Sequence, residues 1–180
     1  MAAVTALIFL SPPACAPVKT APRWFLPISG ELKLGGRYQL TGNASGTVTR
    51  CEPPMHLGLT WEFGGQTSWV DVVLSPSGDG GTYLELTHVA HIDDGMWAQF
   101  GPGAVGIGWD LTLLGLGEHI STKATKDEAN AMAWMGSAEG KDFMRQSNDG
   151  WRDASIASGT DASEATEAAK RTIAAYTGEG

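Results

Sequence analysis

The chain has 180 residues, 42% of them hydrophobic and seven of them Trp, with a formal net charge of −8 at pH 7. That length and composition suit one folded core and argue against a disordered or fibrous chain. The acidic balance has no basic face, which argues against nucleic acid or an anionic membrane surface as partner.

Residues 1–22 stand apart. Ala2–Leu10 is a short apolar run, and Ala14-Cys15-Ala16 offers small residues at a cleavage position. No Lys or Arg precedes Lys19, Pro17 follows the candidate cut, and the run is too short to span a bilayer. A signal peptide, a poorly ordered arm and a misassigned start all remain open. Cys15 and Cys51 are the only cysteines, too few for a disulfide scaffold and without metal-ligand spacing. A reducing, cytoplasmic setting is therefore expected.

From Trp24 to His91 the chain reads as strands and tight turns. ELKLGGRYQL holds two short strand-like pieces around Gly35-Gly36, and GNASG turns into TVTRCE, which Pro53-Pro54 ends. HLGLTWEF alternates Leu57, Leu59, Trp61 and Phe63 on one face. SWVDVVLSP does the same with Val70, Val72 and Leu74, and TYLELTHVAH with Leu84, Leu86, His88 and Ala90. Four or five antiparallel strands in a meander, apolar on one face, require a cover on that face.

The cover is expected from Gly103 to Ile120, where Val105, Trp109, Leu113, Leu116 and Ile120 recur at helical spacing. Its glycines would allow close approach to a curved sheet or leave room for a cavity. GPGAVG, residues 101–106, satisfies G-x-G-x-x-G, but that loop binds dinucleotides only inside a strand–helix–strand unit. More helix follows here, and Asp127 has no strand end to present it to a ribose. No cofactor is expected. The rest reads as three helices: DEANAMAWM near Asp127, a second capped by Ser137 with Phe143, Met144 and Trp151 as anchors, and a third capped near Thr160 or Asp161 and ended by Gly178. They read as an appendage on the core.

The runs RWFLPISGELKLGGRYQL, GTVTRCEPPMHLGLTWEF, SWVDVVL, GGTYLELTHVAH and FGPGAVGIGWDLTLLGL resemble the SRPBCC superfamily, and within it the branch of Hsp90-ATPase-activator homologues. The likeness covers residues 23–120, and the three final helices are similar to an extension of some bacterial members. It implies an α+β helix-grip fold of the START or pollen-allergen type, an antiparallel sheet gripping a long helix around a cavity. The domains expected are an atypical segment 1–22, a helix-grip domain 23–120 and a helical extension 121–180. The family opens with a strand and two short helices that residues 1–22 do not resemble: the domain is truncated, its first strand is supplied differently, or the start is misassigned, and a missing first strand would leave a sheet edge unpaired.

On this reading Trp61, Val72, Leu84, Leu86 and His88 line the cavity from the sheet. Trp109 and Leu113 line it from the helix, and Trp97 and Phe100 lie at its mouth. His88 is the sharpest candidate: it either orients a ligand in an apolar pocket or is a hydrogen-bonded core histidine. Trp61 and Trp109 also suit plain core packing. His88 and His91 form H-x-x-H, but residues three apart on a strand face opposite ways, and no metal is expected. Asp93-Asp94 marks a turn. Glu118-His119 cannot cooperate as neighbours on a helix, and no catalytic residue is assigned. The function read from these residues is non-enzymatic binding of a small hydrophobic molecule. The alternatives are a co-chaperone-like module for an unidentified protein partner and a cyclase- or hydrolase-type enzyme of the superfamily.

Overall fold

The computed structural model describes residues 4–5 and 21–179. In chain order it contains β1 (Val4–Thr5), a 3₁₀ turn (Ala21–Arg23), β2 (Ile28–Gly30), β3 (Arg37–Leu40), β4 (Ser45–Glu52), β5 (His56–Phe63), β6 (Gln66–Pro76) and β7 (Thr82–Val89). Five helices follow: α1 (Asp94–Phe100), α2 (Gly103–Thr122), α3 (Glu128–Gly136), α4 (Ala138–Ala157) and α5 (Ala162–Thr177). The protein is α+β. Two compact units divide it, one of residues up to His91 with Gly115–Thr125, the other of Ile92–Leu114 with residues from Lys126 on. This division differs from the boundary expected at residue 120, because α2 contributes to both units.

The first unit is an antiparallel sheet in the order β1-β7-β6-β5-β4-β3-β2. From β2 to β7 each strand pairs with the next in sequence, the meander that the short turns dictate. Alternation sets the register: Val70 faces His88, Val72 faces Leu86 and Leu74 faces Leu84. A one-residue slip would turn this whole apolar row to the other face. Val48 and Leu57 anchor a core with Ala21, against which Trp24, Ile28 and Val72 pack. Burying each of those two side chains contributes about 1.5–3 kcal/mol. Tyr38, 3% exposed, donates its hydroxyl to Thr60 O at 2.7 Å, and burial pushes its pKa up to about 12. The end of α2 belongs here too, with Leu116 buried and Gly115 against the Trp24 carbonyl, 2.9 Å from where a Cβ would lie.

Three expectations change. Glu31–Leu34 forms no strand: the chain turns there, Gly36 N donates to Lys33 O, and Gly35 adopts a φ of +76° that suits glycine. The β7 edge is paired after all, by β1 through Val4↔Leu84 and Thr5↔Tyr83. Cys51 is disulfide-bonded, not the reduced thiol expected, and such bonds persist in oxidising compartments.

The second unit is helical. Asp93 caps α1 by accepting from Gly95 N and Met96 N, so the Asp-Asp pair read as a turn also starts a helix. Asp127, Ser137 and Asp161 cap α3, α4 and α5, and Gly178 ends α5 in the left-handed region, as the sequence predicts. Helix α5 buries Ala165, Ala168, Ala169 and Thr172, one narrow stripe of small side chains. Across it Arg171 donates to the carbonyls of Ala98 and Gln99, and Thr172 to that of Phe100, which satisfies the last turn of α1.

The glycines of α2 meet other helices here. A Cβ on Gly106 would fall well under 3.0 Å from the indole of Trp151, one on Gly103 would lie 2.9 Å from Asn148 Oδ1, and Gly108 faces the Tyr176 hydroxyl. Asp110 of α2 accepts from Ser147 Oγ at 2.6 Å and from Trp151 Nε1 at 2.9 Å. Their partners are α4 and α5, and of the two roles expected, approach to a curved sheet or room for a cavity, Gly103 takes the second by lining a cavity. The final helices accordingly form one body with α1 and the first part of α2, where the sequence reads an appendage.

Candidate functional site

Strand β7 alternates along its length, with Leu84, Leu86 and His88 half-buried and Tyr83, Glu85, Thr87 and Val89 turned outward. Val72 sits beside Leu86 in register, and Trp61 lies one strand further, its ring 6.0 Å from the His88 imidazole at 56°. Five of the predicted lining residues thus share one face of the sheet.

The polar feature of that face is a pair. Ser68 Oγ donates to Trp61 O at 3.2 Å and lies 2.8 Å from His88 Nε2. Which of the two donates is set by the imidazole tautomer. Burial holds the imidazole below its ordinary pKa, so the neutral ring is favoured. Ser68 was missed from sequence, although its place two residues before Val70 puts it in the same inward row. His56, bonded to Asp71 at 2.6 Å, was also missed; both sit on the opposite face, in the rows of Val73 and Gly58.

The other four predicted residues belong to the second unit. Trp109 and Leu113 are half-buried on α2. Trp97, 37% exposed, and Phe100 line a cavity among α1, α2, α4 and α5. His91 is exposed and meets the edge of Trp69 at 6.2 Å, away from His88. Among the described residues no group of three His, Cys, Asp or Glu side chains could hold a metal ion. His119 Nδ1 bonds the carbonyl of Ala124 at 2.6 Å, a closing contact beyond the end of α2. No helix among the described residues is long and apolar enough to cross a membrane.

An antiparallel meander, long helices and an apolar sheet face with a half-buried histidine define an α+β protein of the helix-grip class. Residues 19–121 match the model of the activator of Hsp90 ATPase homolog 1-like protein family. The match spans more than half of the chain, and the chain belongs to that family, within the SRPBCC superfamily. Among solved structures it is similar to CalU16 from Micromonospora echinospora. The solution structure of CalU16 is 34% identical with a TM-score of 0.62, over 79% of this chain and 76% of that one. Its crystal structure aligns at 29% identity and a TM-score of 0.55, over 85% and 98%. No curated protein sequence matches the chain.

Proposed function

We propose that the protein is a non-enzymatic binding domain that holds a small hydrophobic molecule against the inward face of its sheet. One observation carries this reading: Val72, Leu84 and Leu86 form an apolar row that ends at His88, a polar group fixed by Ser68. Apolar walls with a few placed polar groups are the usual make-up of small-molecule sites. Trp61 flanks the histidine, its ring 6.0 Å from the imidazole. Trp97 and Phe100 have a cavity of their own.

Docking of a protein partner, the co-chaperone-like alternative, has no specific surface to support it. Cysteine state bears on the cytoplasmic placement, since the Cys51 disulfide favours an oxidising one.

The test is native mass spectrometry of the purified protein, followed by titration with the fluorophore 1-anilinonaphthalene-8-sulfonate. The expected result is an added mass lost on denaturation, or saturable fluorescence that Leu86→Trp abolishes and Glu85→Trp, on the opposite face, leaves intact. A bare native mass with no saturable fluorescence refutes the proposal, as does equal binding by the two variants.

A further inference from the structure

Behind the corner Gly101-Pro102-Gly103, where α1 gives way to α2, the second unit holds a cavity of about 110 Å³. A dry cavity of about 150 Å³ accepts benzene, so this one takes most of a six-membered ring. Trp97 and Phe100 of α1 line it together with Ala165 and Ala168 of α5. Trp97 is 37% exposed, a large aromatic side chain left open to a guest.

The neutral polar groups of the wall bond within the protein. Ser155 Oγ donates to Thr160 Oγ1 at 2.8 Å, and the Asn148 side-chain amide donates to Ala169 O at 3.1 Å, with the Asn148 oxygen buried out of reach. Of the two charged residues in the wall, Arg152 is held by Asp149 at 2.6 Å and by Asp153 at 2.8 Å. The other is Glu164. Its carboxylate is exposed, and among the described residues nothing pairs with it.

The wall therefore selects by charge. Two aspartates on one arginine leave that side of the cavity negative, and Glu164 adds to it. Arg171 spends its guanidinium on the carbonyls of Ala98 and Gln99 and lies outside the wall. An anion would meet like charge here, which costs affinity. A cation with an apolar body buries the body against Trp97 and Phe100 and keeps its charge in water beside Glu164, so the charge is not desolvated. An ammonium over the Trp97 indole gains a further cation–π attraction.

We propose that this cavity binds a small primary ammonium carried on one apolar ring, the ring against Trp97, Phe100 and the alanines of α5 and the ammonium at the rim with Glu164. The site lies in the helical unit and stands or falls independently of the sheet-face site.

The probes are benzylammonium, benzyl alcohol and benzoate, which share a ring and differ in charge. Each is titrated at pH 7 and low salt into the full ¹⁵N-labelled chain and followed by ¹H–¹⁵N NMR. The expected result is saturable shifts at Gly101, Gly103 and the Trp97 indole N–H, with benzylammonium about fivefold tighter than benzyl alcohol and benzoate weakest. Glu164→Gln should remove the advantage of the ammonium over the alcohol while both still bind. Trp97→Ala should weaken all three probes. Both variants change exposed side chains, and their own spectra report that the fold is kept. No saturable shift with benzylammonium overturns the proposal, as does equal or tighter binding of benzyl alcohol or benzoate. So does an ammonium preference that survives Glu164→Gln. If Trp97→Ala fails to fold, the wild-type order of the three probes and the Glu164→Gln comparison decide.

Discussion

Gly106→Ala tests the packing of α2 most directly. In an isolated helix this substitution is stabilising, by up to about 1 kcal/mol. Here the new methyl would overlap the Trp151 indole, and the ring is itself tied to Asp110 by its Nε1–H at 2.9 Å. Overpacking a filled site costs about 1–3 kcal/mol. If the indole moves off, a hydrogen bond to a charged group worth about 1.5–3 kcal/mol goes with it. Set against the propensity gain, the net is a loss of about 1.5–5 kcal/mol. Urea denaturation followed by far-ultraviolet circular dichroism reads this as a lowered midpoint. The same change in a Trp151→Ala background has open space above it, and its sign should reverse to a gain of about 1 kcal/mol. A gain in both backgrounds refutes the contact.

Two further outcomes follow from single groups. Burial depresses the His88 pKa below 6.5, so between the folded value and 6.5 the unfolded chain binds more protons. Its contribution to stability is whole above 6.5 and is lost as pH falls. The urea midpoint of His88→Gln should therefore fall less than that of the wild type between about pH 7.5 and 5.5, and parallel profiles would contradict the burial. Cys51, being disulfide-bonded, should resist alkylation in peptide mapping until a reductant is added; labelling without reductant would restore the reduced reading.

Strands β4 to β7 were legible because alternation is a direct image of one buried face, and the turns between them announce themselves with Gly, Pro and Asn. The caps at Asp127, Ser137 and Asp161 were legible for the same local reason, a side chain bonding its own backbone. Glu31–Leu34 misled because two leucines two residues apart suit a strand, while the backbone bond from Gly36 to Lys33 that closes the turn leaves no mark on side-chain periodicity. Helix α1 was hidden behind an Asp-Asp pair whose first member serves a turn and a cap equally well. Parity put His88 on the face of Leu84 and Leu86, where it lies. Its partner Ser68 was missed, since a small hydroxyl at a strand start looks like turn chemistry.

Helix α2 also sets where the chain can be cut. The family match stops at residue 121, one residue short of the end of the helix, so a protein ended there would keep nearly all of α2. It would lose Asn148, Trp151 and Tyr176, against which Gly103, Gly106 and Gly108 are fitted. Glycine-rich helices hold poorly without neighbours, and unwinding propagates along a helix because each turn supports the next. The first turns would fray, and the fraying would run toward Gly115, where the backbone lies against the Trp24 carbonyl. The segment that carries the family's sequence pattern is in this sense not the segment that folds: α4 and α5 are a built-in template on which the helix completes itself.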